Sequence, residues 1–498
     1  MQKKAWVYKL VLILWVLFSL LLLEYLIKQS RAADNAAVVI LLSLSIFSLI
    51  IFWLGSVRDL VFSVVFALLG RRMMRAYEPI WSQKVVQNPR FVLLYCTYND
   101  FNGEALSACM RQNYENFETV ILDDSTKAEY KEKVDRFALA NGVSVVRRAD
   151  RKNYKAGNLN HYLKGRDDYD YFVVLDSDER IPPDFIRRSL RYFAHDEKIG
   201  AVQARHVARK GKNVFQRLLG LSVESNGRTA QIVKNFYGSN ALLGHGMAIS
   251  LECYRASGGF PPVVAEDISF AVQIKNAGYE IVYAPDIVCE EEFPFDYVSL
   301  KKRQCKWTQG NLEYMQKYNA SIIGSKLRWF EKLDMILSHY MLPMTPILSL
   351  VLVLSNILLG FFDYAVIEHT TFIYSLMFLF LLSPLLVDIF VYGATKKALL
   401  LLPYFAVNIV TYASMAPMMI KTVFQGATGK KAVFLVTPKD SRFFSIREII
   451  RFSWDSLYFS AAIGAFCYLS CGTVFPALLV VGSCALAPLV VALSNVKA

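Results

Sequence analysis

Five short polar signatures follow one another through the middle of the chain. They are Asp123-Asp124-Ser125, Lys155-Ala156-Gly157-Asn158, Asp176-Ser177-Asp178, Glu266-Asp267 and Arg303-Gln304-Cys305-Lys306-Trp307. Asp176 and Asp178 stand at i and i+2 directly after the apolar run Tyr171–Leu175. Such a pair can turn one carboxylate to a ribose and the other to a hard cation. Mg²⁺ and Mn²⁺ take oxygen ligands from one or two carboxylates and share phosphates with them. A solvated Asp-Ser-Asp turn is the bland alternative; the four companion signatures in order favour the metal reading, with Asp178 and Asp176 as ligands. Glu266-Asp267 opens a helical pattern over 268–277. An acid there is ordinary N-terminal capping, and it is also a fit place for a general base that takes the proton of an attacking hydroxyl. Asp267 is the expected base, with Glu266 sharing or orienting the catalytic site.

The remaining signatures suit a nucleotide diphosphate and an acceptor. Asp123 and Asp124 close an apolar run and can hydrogen-bond a base or ribose, and Thr97-Tyr98-Asn99 offers an aromatic face with polar edges. Lys155 meets phosphate as a point charge, and Gly157 permits close backbone approach. Arg303 and Lys306, three residues apart on one helical face, form a clamp for a departing diphosphate. Trp307 beside them would be a platform under the acceptor sugar. Basic residues before membrane helices more often touch headgroups. Gly244 and His245 sit in a tight turn near the expected acceptor, although a lone histidine between glycines is more often structural. The set matches what sugar transfer from a nucleotide-sugar requires.

These residues need strand ends and helix starts to hold them. Phe91–Cys96, Phe117–Leu122, Val143–Val146 and Tyr171–Leu175 read as strands, alternating with helices near 103–112, 127–141, 155–164 and 183–194. Alternation of this kind predicts a mostly parallel, Rossmann-like α/β sheet. In open α/β sheets ligands gather beyond the carboxyl ends of strands, where Asp123 and Asp176 lie.

Around this polar insert the chain is apolar. The content of apolar residues is 54% and the mean hydropathy +0.32 over 498 residues, too greasy for one soluble domain and too long for spans alone. Residues 6–27 and 37–56 are each long enough to cross a hydrocarbon core of about 30 Å. Residues 341–362, 371–392, 455–471 and 473–494 bring the expected count to six, with both termini inside. The segment 397–420 is also apolar, but lysines precede and follow it, and Pro403, Asn408 and Pro417 interrupt it. It is expected to lie along the cytoplasmic interface rather than cross. The expected organisation is N-terminal membrane helices over 1–75, a cytoplasmic transferase domain over 88–330 and a C-terminal membrane domain over 331–498. That last part holds an interface helix at 397–422 and a loop at 430–442. The net charge of +13 fits lysines and arginines on cytoplasmic loops and membrane lipids, and can draw in an anionic donor. The basic residues form no single block, which argues against nucleic acid. The eight cysteines lack paired CxxC spacing and read as buried thiols.

At these motifs the chain resembles the processive, inverting family-two membrane glycosyltransferases, which include cellulose, curdlan and hyaluronan synthases. The resemblance spans roughly 88–445 and includes YNDFNGEAL, DDS, KAGNLN, DSD, AEDISFAVQIKNAGYEIVYAPD and KWTQGN. Phe434-Leu435-Val436-Thr437-Pro438-Lys439 is similar to the FxVTxK gating loop of cellulose-synthase-like enzymes, carrying Phe434, Val436, Thr437 and Lys439. The resemblance implies a GT-A fold, a UDP-sugar donor (UDP-glucose first), Mg²⁺ or Mn²⁺, and a growing β-linked polysaccharide, extracellular or capsular, translocated across the plasma (inner) membrane. Two departures stand out. The family's QxxRW is Arg303-x-x-Lys306-Trp307 here, and a lysine lacks the bidentate contact of an arginine. The family's TED is Ala265-Glu266-Asp267. Only an apolar hairpin follows the gating loop, so a cyclic-di-GMP-sensing domain is not expected after it. The rival readings are a non-processive enzyme glycosylating a lipid, a hyaluronan- or chitin-type synthase with another UDP-sugar, and a pure transporter.

Overall fold

The structure is a computed structural model that describes residues 3–362, 364, 371–429 and 443–498. The expected gating-loop residues Phe434, Val436, Thr437 and Lys439 lie outside the described residues.

Seven strands build the central sheet: β1 (Phe91–Thr97), β2 (Phe117–Asp123), β3 (Ser144–Val146), β4 (Tyr171–Leu175), β5 (Ile199–Ala208), β6 (Met247–Ser250) and β7 (Glu280–Glu291). Their order is β3-β2-β1-β4-β6-β5-β7. The first four are parallel to one another, and β5 is parallel to β7. Only β6 runs antiparallel, between β4 and β5. Both faces of β1 are buried, as its near-continuous apolar reading requires of a parallel strand. Leu93, Tyr95, Val173 and Leu175 enter one core, while Val92, Leu94, Val174 and Leu122 enter the other. Period-two alternation thus fills two layers. Register pairs Thr97 with Asp123 and Tyr95 with Leu175, so the three strands end at one edge, where the polar signatures begin.

Helices Gly103–Cys109, Ala128–Asn141, Tyr154–Leu163 and Phe185–His195 lie close to the sequence expectation. The expected helix after Glu266-Asp267 is Glu266–Asn276, with both acids in its first turn. Arg303, Lys306 and Trp307 lie on a helix of 27 residues, Tyr297–Ile323, whose Asp296 cap accepts from Ser299 N.

Among the described residues, six helices are long and apolar enough to cross a membrane: Trp6–Ala32, Ala36–Trp81, Met341–Gly360, Ser375–Tyr392, Lys396–Ala427 and Phe475–Leu493. The number agrees with the sequence reading but the membership differs. Ile446–Cys471, expected as part of a span, carries Arg447, Glu448, Arg451 and Asp455 in its first half and is not among the six. It still packs as a hairpin on the last segment, where Ser460 Oγ donates to Val481 O at 2.8 Å. Lys396–Ala427 is counted on length and apolarity alone. It also touches the sheet domain at three points. Lys397 pairs with Glu224 at 2.7 Å, Ser414 Oγ lies 2.8 Å from Tyr297 Oη, and Thr422 Oγ1 lies 3.3 Å from Cys305 Sγ. The segment breaks into two helices at Met415, ahead of Pro417. Lys3 at the other end of the chain also joins the domain, donating to Gly238 O at 2.9 Å and pairing with Glu331 at 3.1 Å.

Candidate active site

The turn after β4 is fastened to the turn after β1 through one carboxylate. Asp100 accepts from Thr97 Oγ1 at 2.9 Å and Tyr98 N at 2.8 Å through Oδ1, and from Ser177 Oγ at 2.5 Å through Oδ2. Asp178 Oδ2 in turn accepts from Glu292 N at 3.1 Å. Asp176 and Asp178 offer oxygen donors only, on a turn held from both sides, and this donor set fits a hard divalent cation. Asp176 Oδ1 carries the Lys155 ammonium at 2.5 Å, which leaves Asp178 as the better-placed ligand.

Lys155 is delivered by an unusual helix start. Asn153 and Tyr154 both take left-handed backbone, with φ of 60° and 49°, and Arg148 accepts the geometry by donating to Lys152 O at 2.6 Å and Tyr154 O at 2.7 Å. A Cβ at Gly157 would collide with the Lys152 carbonyl oxygen and the Arg148 guanidinium, so this glycine is required by close approach. Lys155 Nζ then spans Asp176 and Gly244 O, the latter at 2.7 Å. Burial alone would lower its pKa, but Asp176, Cys96 and Glu266 hold it well above the usual lysine range.

Gly244, at φ 88°, brings the opposite wall against the acid pair. A Cβ there would stand 3.3 Å from Asp267 Oδ2. Asp267 Oδ1 accepts from Ile268 N at 2.9 Å. Burial, then the neighbouring Asp267 charge, pushes Glu266 up to about 7, and burial raises Asp267 as well. The two acids share one proton-sensitive site, and Lys155 and Lys306 oppose the rise in both. Lys306 is lowered by burial, with Asp176 and Glu266 acting against that. The Arg303 guanidinium lies between two rings, 4.7 Å from the Trp307 centroid and 4.8 Å from that of Phe293.

One cavity of about 900 Å³ is lined by Thr97, Tyr98, Asp124, Lys155, Asp176, Asp178, Gly244, His245, Glu266, Asp267, Arg303, Lys306 and Trp307. The expected residues therefore converge from seven separate stretches of chain, with two exceptions. Asp123 does not line the cavity: its side chain is fully buried, accepting from Arg147 Nε at 2.7 Å and Ser125 N at 2.9 Å. It seals the end of β2. Asn99 also stands behind the lining, where its Oδ1 accepts from Thr126 N and Lys127 N, both at 3.0 Å, and staples the two turns together. Both were expected to touch the donor; a short polar side chain at a strand end satisfies backbone first when the next turn is within reach. Asp124 does reach the cavity, gripped by Arg148 at 2.9 and 2.6 Å. Tyr98 reaches it with the Arg151 guanidinium 3.3 Å above its ring.

Sequence reasoning passed over Asp100, Arg148, Arg151, Glu179, His206 and Glu291. Asp100 lies within the quoted YNDFNGEAL stretch, and Glu179 directly follows the Asp-Ser-Asp signature; the others carry no local signal. The cavity also extends among the apolar helices, to Arg58, Ser383, Asp388, Tyr404, Asn408 and Tyr412.

Residues 171–392 match the family model described as glycosyl transferase family group 2. Glucomannan 4-beta-mannosyltransferase 7 of Arabidopsis thaliana is 29% identical over 222 residues, 41% of this chain. The chain spans 39% of the length of that relative. A mannosyltransferase from Pyrobaculum calidifontis, solved with GDP-mannose and Mn²⁺, superposes with a TM-score of 0.50 at 19% identity, covering 78% of this chain and 99% of that one. TarS of S. aureus, solved with UDP-GlcNAc, is a looser match at TM-score 0.36 and 13% identity, covering 72% of this chain and 99% of that one. The chain has a GT-A fold, is similar to family 2 glycosyl transferases over residues 171–392, and carries helices of membrane-spanning length.

Proposed function

We propose that the protein is a processive, inverting glycosyltransferase. It would polymerise a hexose from a nucleotide-sugar, UDP-glucose in the leading reading, into a β-linked polysaccharide passed across the plasma membrane, with the catalytic domain cytoplasmic. The observation that carries this reading is the single cavity that holds the acid pair and the Asp178 turn at one end and reaches Ser383, Asp388 and Asn408 of the apolar helices at the other. Asp267 takes the proton of the acceptor hydroxyl as that oxygen attacks the anomeric carbon, and Glu266 stays beside it as a buried partner. Lys155, Arg303 and Lys306 place positive charge around the leaving diphosphate, and Trp307 gives the acceptor sugar an apolar face. A divalent cation on Asp178, when bound, would neutralise the diphosphate further. Direct displacement of the nucleoside diphosphate by the acceptor hydroxyl, whose proton goes to the one base, inverts the anomeric carbon, so an α-linked donor gives a β-linkage.

A second reading, mannose from GDP-mannose, is favoured by the similarity to a glucomannan mannosyltransferase and to a mannosyltransferase solved with GDP-mannose. Purified protein is incubated with one donor at a time, UDP-glucose, UDP-GlcNAc or GDP-mannose, with Mg²⁺ or Mn²⁺, and the product is sized. Polymer from UDP-glucose supports the leading reading, and polymer from GDP-mannose the second. A lipid-linked monosaccharide would replace both with a non-processive enzyme, and absence of nucleotide release from every donor would remove the transferase reading.

A further inference from the structure

Directly beneath the Asp178 turn lies a cluster that the transfer reaction does not use. Glu179 follows Asp178, His206 belongs to β5 and Cys289 to β7. The parallel register sets His206 opposite Cys289, so both side chains rise from the same face of the sheet toward Glu179. Glu179 and Cys289 are fully buried, and His206 is 6% exposed. A carboxylate oxygen of Glu179, a ring nitrogen of His206 and Cys289 Sγ lie within 4.8 Å of one another.

Glu179 Oε1 sits between two imidazoles, with His245 Nδ1 the nearer at 3.2 Å. Glu179 Oε1 stands 3.5 Å from His206 Nε2, whereas a hydrogen bond would draw O and N to about 2.7–3.2 Å. Neither atom has a hydrogen-bond partner, although both are buried. A buried ring nitrogen such as His206 Nε2, without a hydrogen bond of its own, is costly unless a third party meets it. Ligands bonded at about 2.0–2.1 Å around a tetrahedral ion stand about 3.4 Å apart. On the other side of the imidazole, His206 Nδ1 lies 3.5 Å from Glu291 Oε2, close enough for a small shift to bring the carboxylate onto it, as metal-bound histidines require. Gly246 makes the convergence sterically possible, because a Cβ there would collide with both Glu179 Oε1 and His206 Nε2. The His245 ring stacks on His206 at 4.3 Å and 4°. One ion cannot lie in the planes of two parallel rings, so His245 is the cover of the cluster and His206 the ligand.

We propose that Glu179, His206 and Cys289 form a zinc site, separate from the hard-cation pair of the donor pocket. A carboxylate oxygen, an imidazole and a thiolate together suit Zn²⁺ and do not suit Mg²⁺ or Mn²⁺, which take oxygen. On binding, Cys289 gives up its thiol proton to solvent, and the two anionic ligands balance the ion's charge. The ion would tie β5, β7 and the turn after β4 into one unit under Asp178. It is a clip for the donor turn rather than a participant in transfer.

The test uses the full chain in detergent, purified without added metal and passed over a chelating resin before elemental analysis. The wild-type protein should hold close to one zinc per chain, and exchange with Co²⁺ should produce a thiolate-to-cobalt charge-transfer band. His206→Gln and Cys289→Ser should lose zinc, and the Ser variant should lose the band, while size-exclusion profiles report whether each is folded. Asp178→Ala should keep its zinc, which separates this site from the donor's cation. Wild-type protein that is folded but zinc-free and takes up Co²⁺ without the band overturns the site, as does undiminished zinc in His206→Gln. Equal zinc loss in Asp178→Ala overturns its separateness.

Discussion

Replacing Asp267 by Asn tests the proposed chemistry at its centre. The change is nearly isosteric, and the amide oxygen can still accept from Ile268 N as Oδ1 does at 2.9 Å, so the first turn of Glu266–Asn276 keeps its cap. What is lost is the ability to take a proton from an acceptor hydroxyl on the Oδ2 side, which faces Gly244. A positioned general base contributes about 10²–10⁴-fold, or roughly 3–5 kcal/mol of barrier. Initial rates of labelled-sugar incorporation should fall by at least about 10²-fold, while donor binding measured by calorimetry stays within a few-fold. The pH profile adds a second readout. A base acts unprotonated; burial raises Asp267, and burial with the neighbouring Asp267 charge pushes Glu266 up to about 7. The wild-type rate should therefore decline on the acid side at a pH above where an ordinary carboxylate titrates. Removing the Asp267 charge takes away one cause of the rise at Glu266, so its pKa should fall in the variant. Near-normal synthesis by Asp267→Asn, with severe loss confined to Glu266→Gln, would refute the assignment and move the base to Glu266.

Asp178→Ala should abolish the metal-dependent part of donor affinity; unchanged donor binding with and without Mn²⁺, by calorimetry, would count against its role as ligand. Lys306→Arg should retain turnover and Lys306→Ala should lose roughly tenfold or more, because a buried charge that meets diphosphate contributes about 1.5–3 kcal/mol; an alanine variant with unchanged kinetics would make Lys306 a headgroup contact. Lys396→Cys and Thr428→Cys, in a cysteine-depleted background, should both resist an impermeant thiol reagent applied to intact cells, since Lys397 and Thr422 are both held to the sheet domain. Labelling at 428 alone would show that 396–427 crosses the membrane.

Much of this protein is legible without coordinates, for reasons of period and locality. The strands before Asp123 and Asp176 are short apolar runs bounded by turn residues, and Glu266-Asp267 heads a helical pattern. Each of these signals is complete within about ten residues of chain, and Gly157 and Gly244 could be suspected because close approach leaves a residue type behind. Spans such as Met341–Gly360 declare themselves by length. Other features are relations between distant segments. That Asp123 and Asn99 serve neighbouring turns instead of the cavity depends on where Arg147, Ser125 and Thr126 fall in space. That Asp100 couples two turns depends on Ser177. The apolar count includes 396–427 among the candidate spans, and only the tertiary structure shows its contacts with Glu224, Tyr297 and Cys305; composition measures a segment's solvent preference, not its neighbours. The cluster of Glu179, His206 and Cys289 is the extreme case. Its members are separated by dozens of residues and become one site only when β4, β5 and β7 align in register, because the pairing of parallel strands is decided by the whole packed core rather than by any one stretch of chain.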